Sequence, residues 1–265
     1  MINSFKKPLR LIVEKLFSKL GYSVALWRHE EKSLVLVDKK AWEPFFREDE
    51  NVKRYFRGLR ESKNEWSDNL YKQLRHYSLQ ELCHYVVNKN LTGDIAECGC
   101  WRGHSAYLIA SIINIRDFDV DFHIFDSFEG GLSAKTAKDK NIRVNLSEAE
   151  IKKESNIFSS TEKEVKSCLA DFDRVHLYKG WIPDRFDEVS DKRFSFVHLD
   201  VDLYEPTRDS LEFFFPRLVE DGVIVCDDYG FSQFPGAAKA VDEFLVEHQV
   251  KMFYRVPMGS CFIIK

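Results

Sequence analysis

No apolar stretch in this chain is long enough to cross a membrane, and Glu14 and Lys15 interrupt the apolar residues near its start, so no signal-peptide core is read there. An excess of positive charge is missing too. The 39 Lys and Arg residues stand against 43 Asp and Glu, a formal net charge of -4, which argues against a dedicated nucleic-acid binder. The six cysteines form no C-x-x-C pair and mostly lie inside apolar segments. They read as buried, reduced thiols rather than a disulfide framework or a metal site, and they point to the cytoplasm. There is no internal repeat.

What is present is an ordinary mixture of 44% hydrophobic and 31% charged residues over 265 positions, enough for one α/β domain with an N-terminal extension. In that extension Leu9, Ile12, Val13, Leu16, Phe17 and Leu20 follow helical spacing, with Lys6, Lys7, Arg10, Lys15 and Lys19 elsewhere on the wheel. This amphipathic basic helix is expected to dock on its own domain or on a partner subunit, with membrane-surface contact as the alternative. It is the reason to expect a homo-oligomer, and deleting residues 1 to 20 without changing the mass in solution would remove that reason. Residues 1–66 are accordingly read as a helical extension, with a short strand over Ser33 to Val37 and a solvated helix or loop over Arg47 to Lys63. The main domain is expected over residues 67–265.

The domain is organised around Gly93-Asp94-Ile95-Ala96-Glu97-Cys98-Gly99-Cys100-Trp101-Arg102-Gly103-His104-Ser105, which runs into the apolar stretch Ala106 to Ile113. Strand, tight turn and helix N-terminus follow one another, the junction at which open α/β sheets place their ligands. A dinucleotide fingerprint would need a third glycine, and Trp101 would obstruct a pyrophosphate. Glu97 adds a carboxylate, unfavourable for a phosphate and favourable for a cation. S-adenosylmethionine (SAM), with its sulfonium and ammonium, suits the pattern E-x-G-x-x-x-G.

Upstream, Leu70, Leu74, Leu82, Tyr85 and Val86 mark a helix ending near Asn90. Downstream, Val120 to Phe125 is a strand ending in Asp126-Ser127, and a carboxylate there can accept from both ribose hydroxyls of an adenosine. Residues 132–158, rich in Lys, Ser, Glu and Asn, are read as a mobile lid, followed by a capping box at Thr161 to Glu164. Gly180-Trp181 follows strand Arg174 to Tyr178, and the indole could stack on adenine. Strands Phe194 to Leu199 and Gly222 to Cys226 end in Asp200-Val201-Asp202 and Asp227-Asp228. With a helix after each and a terminal pair over Lys251 to Val256 and Cys261 to Ile264, the pattern predicts a Rossmann-like, doubly wound, mostly parallel sheet of seven strands.

If the strand order reverses beside the glycine-bearing strand, Asp200, Asp202, Asp227 and Asp228 converge next to the sulfonium. Nothing basic in the immediate motifs pairs with them, so a divalent cation is expected: magnesium, with calcium or manganese as alternatives to it and zinc disfavoured. His198, at the parity of Asp200, reads as a satisfied core histidine.

Taken together, the Gly93 to Gly103 stretch, Phe125-Asp126-Ser127-Phe128-Glu129-Gly130, His198-Leu199-Asp200-Val201-Asp202-Leu203-Tyr204-Glu205 and Asp227-Asp228-Tyr229-Gly230 resemble the macrocin O-methyltransferase family. The resemblance spans about Tyr77 to Val246 and is weaker in the N-terminal third. It implies a SAM- and magnesium-dependent enzyme that methylates a sugar hydroxyl on a glycosylated natural product or glycan. Carried over by position, Asp200, Asp227 and Asp228 would be the metal ligands and Asp202 the general base. Glu97, Gly99, Trp101, Gly103, Ser105, Asp126, Ser127 and Trp181 would bind SAM, with Tyr77 and Ser78 closing over it. His104 stands where a second glycine is usual, Val201 replaces a small residue and Pro206 a hydroxyl residue. Three other readings remain at this point: methylation of a catechol-type diol, a nicotinamide-dependent oxidoreductase, and a non-catalytic SAM- or glycan-binding module.

Overall fold

The computed structural model describes residues 16, 22–28, 32–38, 49–116, 118–140, 157–256 and 259–265. The chain divides into two compact units, Met1–Lys53 and Arg54–Lys265. In the first, β1 (Tyr22–Arg28) and β2 (Lys32–Asp38) pair antiparallel, in register from Tyr22 opposite Asp38 to Arg28 opposite Lys32. Within the expected extension residues 22–38 are thus a strand pair, and the short strand expected over Ser33 to Val37 lies inside β2. Each strand carries a short apolar run, Val24 to Trp27 in the first and Leu34 to Val37 in the second, of strand rather than helix length. Apart from Leu16, the predicted helix over Leu9 to Leu20 lies outside the described residues.

Ahead of the boundary expected at residue 66, α1 (Glu50–Glu61) carries Tyr55 and Leu59 into the core of the larger unit. A Cβ at Gly58 would stand 2.9 Å from the Tyr107 ring and 3.0 Å from that of His104. The glycine lets α1 approach that closely. After it come α2 (Leu70–Asn88), β3 (Asp94–Cys98), α3 (His104–Ile115), β4 (Phe122–Asp126), α4 (Glu162–Cys168), β5 (Val175–Lys179) and β6 (Phe194–Leu199). The chain ends with α5 (Tyr204–Arg217), β7 (Leu218–Cys226), α6 (Pro235–Glu247), β8 (Met252–Arg255) and β9 (Cys261–Ile264).

Seven strands form one sheet in the order β5-β4-β3-β6-β7-β9-β8, parallel except at β9, which runs antiparallel to both its neighbours. The expected fold is met, and the order reverses at β3. Successive strands β3 and β4 extend toward one edge, while β6 and β7 lie on the other side of β3, so the loops after β3 and β6 part to leave a crevice.

Alternation along the strands builds a core on each face. Ile95, Ile124, Phe196 and Val225 pack with α1, α2 and α3, whereas Ala96, Phe125, Val197 and Ile224 pack with α5 and α6. Phe125, Phe186, Phe194 and Phe214 form a cluster of edge-to-face and tilted contacts on the second side, with centroids 4.9 to 6.0 Å apart. Each such ring contributes roughly 1.5–3 kcal/mol through burial. All six cysteines are buried and free. Among the described residues no helix is long and apolar enough to cross a membrane.

Of the expected lid, residues 141–156 lie outside the described set. Its first part is tied down by the buried Asp139, whose Oδ2 accepts from the Thr136 amide at 2.7 Å and whose Oδ1 accepts from the Tyr204 amide at 2.7 Å. The capping box beyond it is present: the Glu164 amide donates to Thr161 Oγ1 at 3.3 Å, and the Thr161 amide to Glu164 Oε2 at 2.8 Å.

Candidate active site

A cavity of about 420 Å³ opens at the carboxyl ends of the central strands, over the β3–α3 turn. That turn is possible because Gly99 and Gly103 adopt φ of 78° and 85°. At Gly99 a Cβ would collide with the backbone carbonyl of Asp200, so the strand end can approach β6 only without one. The Gly99 amide donates to the Phe125 carbonyl at 2.8 Å and the Asp200 amide to that of Cys98 at 2.9 Å, stitching the three loop starts together.

Of the predicted SAM residues, Gly99, Trp101, Ser105, Asp126, Ser127 and Trp181 border this cavity. Glu97, Gly103, Tyr77 and Ser78 do not. Glu97 is buried beneath it, Gly103 packs against Cys168 and Val165, and the Ser78 hydroxyl turns back to the Leu74 carbonyl at 3.1 Å. Asp126 is more heavily engaged than expected. Its Oδ2 accepts from the amides of Cys100 at 2.9 Å and Trp101 at 3.1 Å, and its Oδ1 from that of Phe128 at 2.9 Å. A carboxylate offers about four acceptor sites, so one is left for a ribose hydroxyl.

Across β3, the oxygens of Asp200, Asp227 and Asp228 lie within 4.8 Å of one another. Asp202, also buried, sits at φ 61° and donates its amide to Asp228 Oδ2 at 3.1 Å. The four aspartates do converge. The expectation that nothing basic pairs with them is corrected on two counts. Arg75, from α2, places Nη1 on Asp227 Oδ2. From below, His198 donates between Glu97 Oε1 at 2.7 Å and Asp227 Oδ1, 3.9 Å away and an ion-pair distance only.

Burial disfavours a charged His198, yet Asp227 and Glu97 on either side more than offset it and lift its pKa to about 10. Against desolvation, Arg75 and His198 hold the Asp227 carboxyl below its usual range. For Asp200 and Asp228 desolvation comes first, and neighbouring carboxylates add to it: Asp227 and Asp228 for the former, Asp202 and Asp227 for the latter. Both are pushed well above the ordinary range. Arg75 and His198 also act on Asp200, and Arg75 on Asp228, but there they do not offset burial and the neighbouring carboxylates. A hard divalent cation with oxygen ligands fits that donor set.

The sequence also left a wall of the cavity unread. Lys72, Arg75 and His76 stand at i, i+3 and i+4 on α2, and with Asn64 and Ser67 ahead of the helix they border the cavity. The face continues through Leu79, Cys83 and Val86, all buried. One stripe of a single helix is thus basic over the cavity and apolar over the sheet. The change of character at Leu79 was the available signal.

Comparison with known proteins agrees with this architecture. The family model described as Macrocin-O-methyltransferase matches residues 27–256. Over 207 residues, 74% of this chain and 76% of the relative, the sequence is 24% identical to demethyldecarbamoylnovobiocin O-methyltransferase of Streptomyces niveus. It is 28% identical over 161 residues, 57% of this chain and 59% of the relative, to 8-demethyl-8-(2,3-dimethoxy-alpha-L-rhamnosyl)-tetracenomycin-C 4'-O-methyltransferase of Streptomyces olivaceus. Among solved structures, the O-methyltransferase NovP superposes with a TM-score of 0.62 at 21% identity, over 79% of this chain and 88% of that one.

Proposed function

The chain belongs to the macrocin O-methyltransferase family and is a SAM-dependent O-methyltransferase, and from that premise we propose that it methylates a sugar hydroxyl of a glycosylated natural product or glycan, with magnesium held by Asp200, Asp227 and Asp228. The nicotinamide and non-catalytic readings fall with the family assignment. The observation that carries the proposal is the aspartate trio, of which Asp200 and Asp228 border a cavity of ligand size and are pushed well above the ordinary carboxylate range by burial and by neighbouring carboxylates. The sugar is supported by a relative whose name specifies a rhamnosyl acceptor.

When bound there, magnesium supplies Lewis acidity that lowers the pKa of a coordinated hydroxyl. Asp202, buried beside the trio and outside it, takes the hydroxyl proton. A carboxylate is a weak base for an alcohol, so its place in a dehydrated site next to Asp228 matters more than its intrinsic basicity. Asp126 and Ser127 hold the ribose, and Trp181 covers the adenine. Phe158, Phe231 and Phe234 border the rest of the cavity and offer the apolar faces on which a sugar ring stacks.

Calorimetric titration with S-adenosylhomocysteine, in magnesium and then in EDTA, tests the arrangement. Micromolar binding is expected in both buffers, with turnover only in the first. Loss of binding in EDTA would place the cation in the cofactor site instead. A panel of glycosides and catechols then reads the acceptor class, and methylation confined to catechols would overturn the sugar assignment.

A further inference from the structure

Asp202 stands in a backbone conformation that side chains rarely adopt. Its φ is 61°, and it is the middle of a three-residue turn in which the Leu203 amide donates to the Val201 carbonyl at 2.6 Å. Such a turn persists only where its surroundings over-determine it. On one side the Asp202 amide donates to Asp228 Oδ2 at 3.1 Å. On the other the chain enters α5, whose N-cap, Leu203, has no side-chain acceptor to offer the first helical amides. Asp139 supplies one from 65 residues away. Its Oδ1 accepts from the Tyr204 amide at 2.7 Å, while its Oδ2 accepts from the Thr136 amide at 2.7 Å and the Thr136 hydroxyl at 2.8 Å.

Asp139 is 5% exposed, and its seat is shaped by a glycine. A Cβ on Gly236, at the start of α6, would stand 1.9 Å from the Asp139 Oδ1 and 2.8 Å from the Tyr204 nitrogen, so only glycine leaves room for the bond between them. The Tyr204 side chain has a second tie, its hydroxyl donating to Glu243 Oε2 at 2.5 Å, with Lys138 reaching both. Glu243 and Lys138 are 44% and 39% exposed, and solvent weakens what they contribute. The buried carboxylate is the firmer hold. Asp139 itself does not border the cavity, whereas Leu132 and Ser133 on the same stretch do. The geometry points to Asp139 as a positioning residue for Asp202: by capping α5 it fixes the turn that aims the Asp202 carboxylate. This rests on Asp202 being the base proposed above. A proton acceptor moved by about 1 Å can lose on the order of a hundredfold in rate, so the cap bears on catalysis as well as on stability.

Hydrogen exchange reads the turn without any acceptor. In Asp139→Ala, residues 200–205 should exchange about tenfold faster than in wild type or more, while β6 stays protected and S-adenosylhomocysteine affinity, which certifies the fold, holds within about twofold. With the fastest acceptor of the panel above, kcat should fall by about ten- to a hundredfold and the acceptor KM should move by less than about threefold. Asp139→Asn keeps an oxygen for the Tyr204 amide and should regain most of that loss. Gly236→Ala pushes the same oxygen away from the opposite side, and it should follow Asp139→Ala in every readout. The deciding background is Asp202→Asn. There the removal of Asp139 should cost less than about twofold in kcat, because the group it positions is gone. A loss in that background as large as in wild type would overturn the assignment, since Asp139 would then act on the fold or on another group. So would wild-type exchange and wild-type turnover in Asp139→Ala. An Asp202→Asn protein that turned over like wild type would overturn the base assignment itself, a distinct failure.

Discussion

Asp227→Asn is expected to reduce turnover by roughly a thousandfold or more, because metal activation is worth several kcal/mol and each 1.36 kcal/mol is about tenfold in rate. S-adenosylhomocysteine affinity should stay within about threefold of wild type. The substitution is chosen over alanine for a structural reason. Asp227 is the shared counter-ion of Arg75 and His198, and truncating it would leave two buried cations with a hole between them, at a cost of about 3–5 kcal/mol. Asparagine keeps the volume and an oxygen for Arg75 while withdrawing the charge. Titration with manganese should show the metal affinity falling in step with turnover. Asp202→Asn is the matching control: turnover drops, but manganese still binds, since Asp202 lies outside the trio. If Asp227→Asn lost cofactor affinity and kept its metal, the trio would have been assigned to the wrong ligand.

Much of this site is visible in the sequence because parallel strands deliver residues to fixed places. Once Glu97, Asp126, Asp200 and Asp227 are recognised as strand-end residues, the sheet order brings them to one edge, and β3, β6 and β7 do so in register: Glu97 opposite His198, and His198 opposite Val225. What could not be read was whatever depends on a helix lying across the strand ends. Arg75 is 152 residues from Asp227, and no local pattern declares their meeting. The sequence reads His198 as a satisfied core histidine, but among the described residues only its Nδ1 is hydrogen-bonded, to the Glu97 carboxylate, while Nε2 faces Asp227 at 3.9 Å. In the N-terminal unit, β1 spans only seven residues without alternation, too short and too evenly apolar a window for periodicity to decide.

The charge on His198 makes a prediction of its own. Its ring is held between Glu97 and Asp227, all three buried. Its pKa rises from 6.5 to about 10 on folding, so the folded state binds a proton that the unfolded chain releases near neutrality. The resulting stabilisation is fully present below pH ~6.5 and is lost as the pH climbs through ~10. In EDTA, the melting temperature of wild type should fall over that window. His198→Gln should melt lower at pH 7, because a buried ion pair loses one partner, a cost of about 3–5 kcal/mol. For a domain of this size that is on the order of 10 °C. The variant should also lose most of the decline between pH 7 and 10. Adding Glu97→Gln removes the stranded carboxylate, and the double variant should recover part of the loss, as expected of residues in direct contact. A His198→Gln protein that melted within about 2 °C of wild type with the same alkaline slope would mean that the ring is neutral. Asp227 would then depend on Arg75 alone, and the electrostatic account of the trio would have to be rebuilt around that single cation.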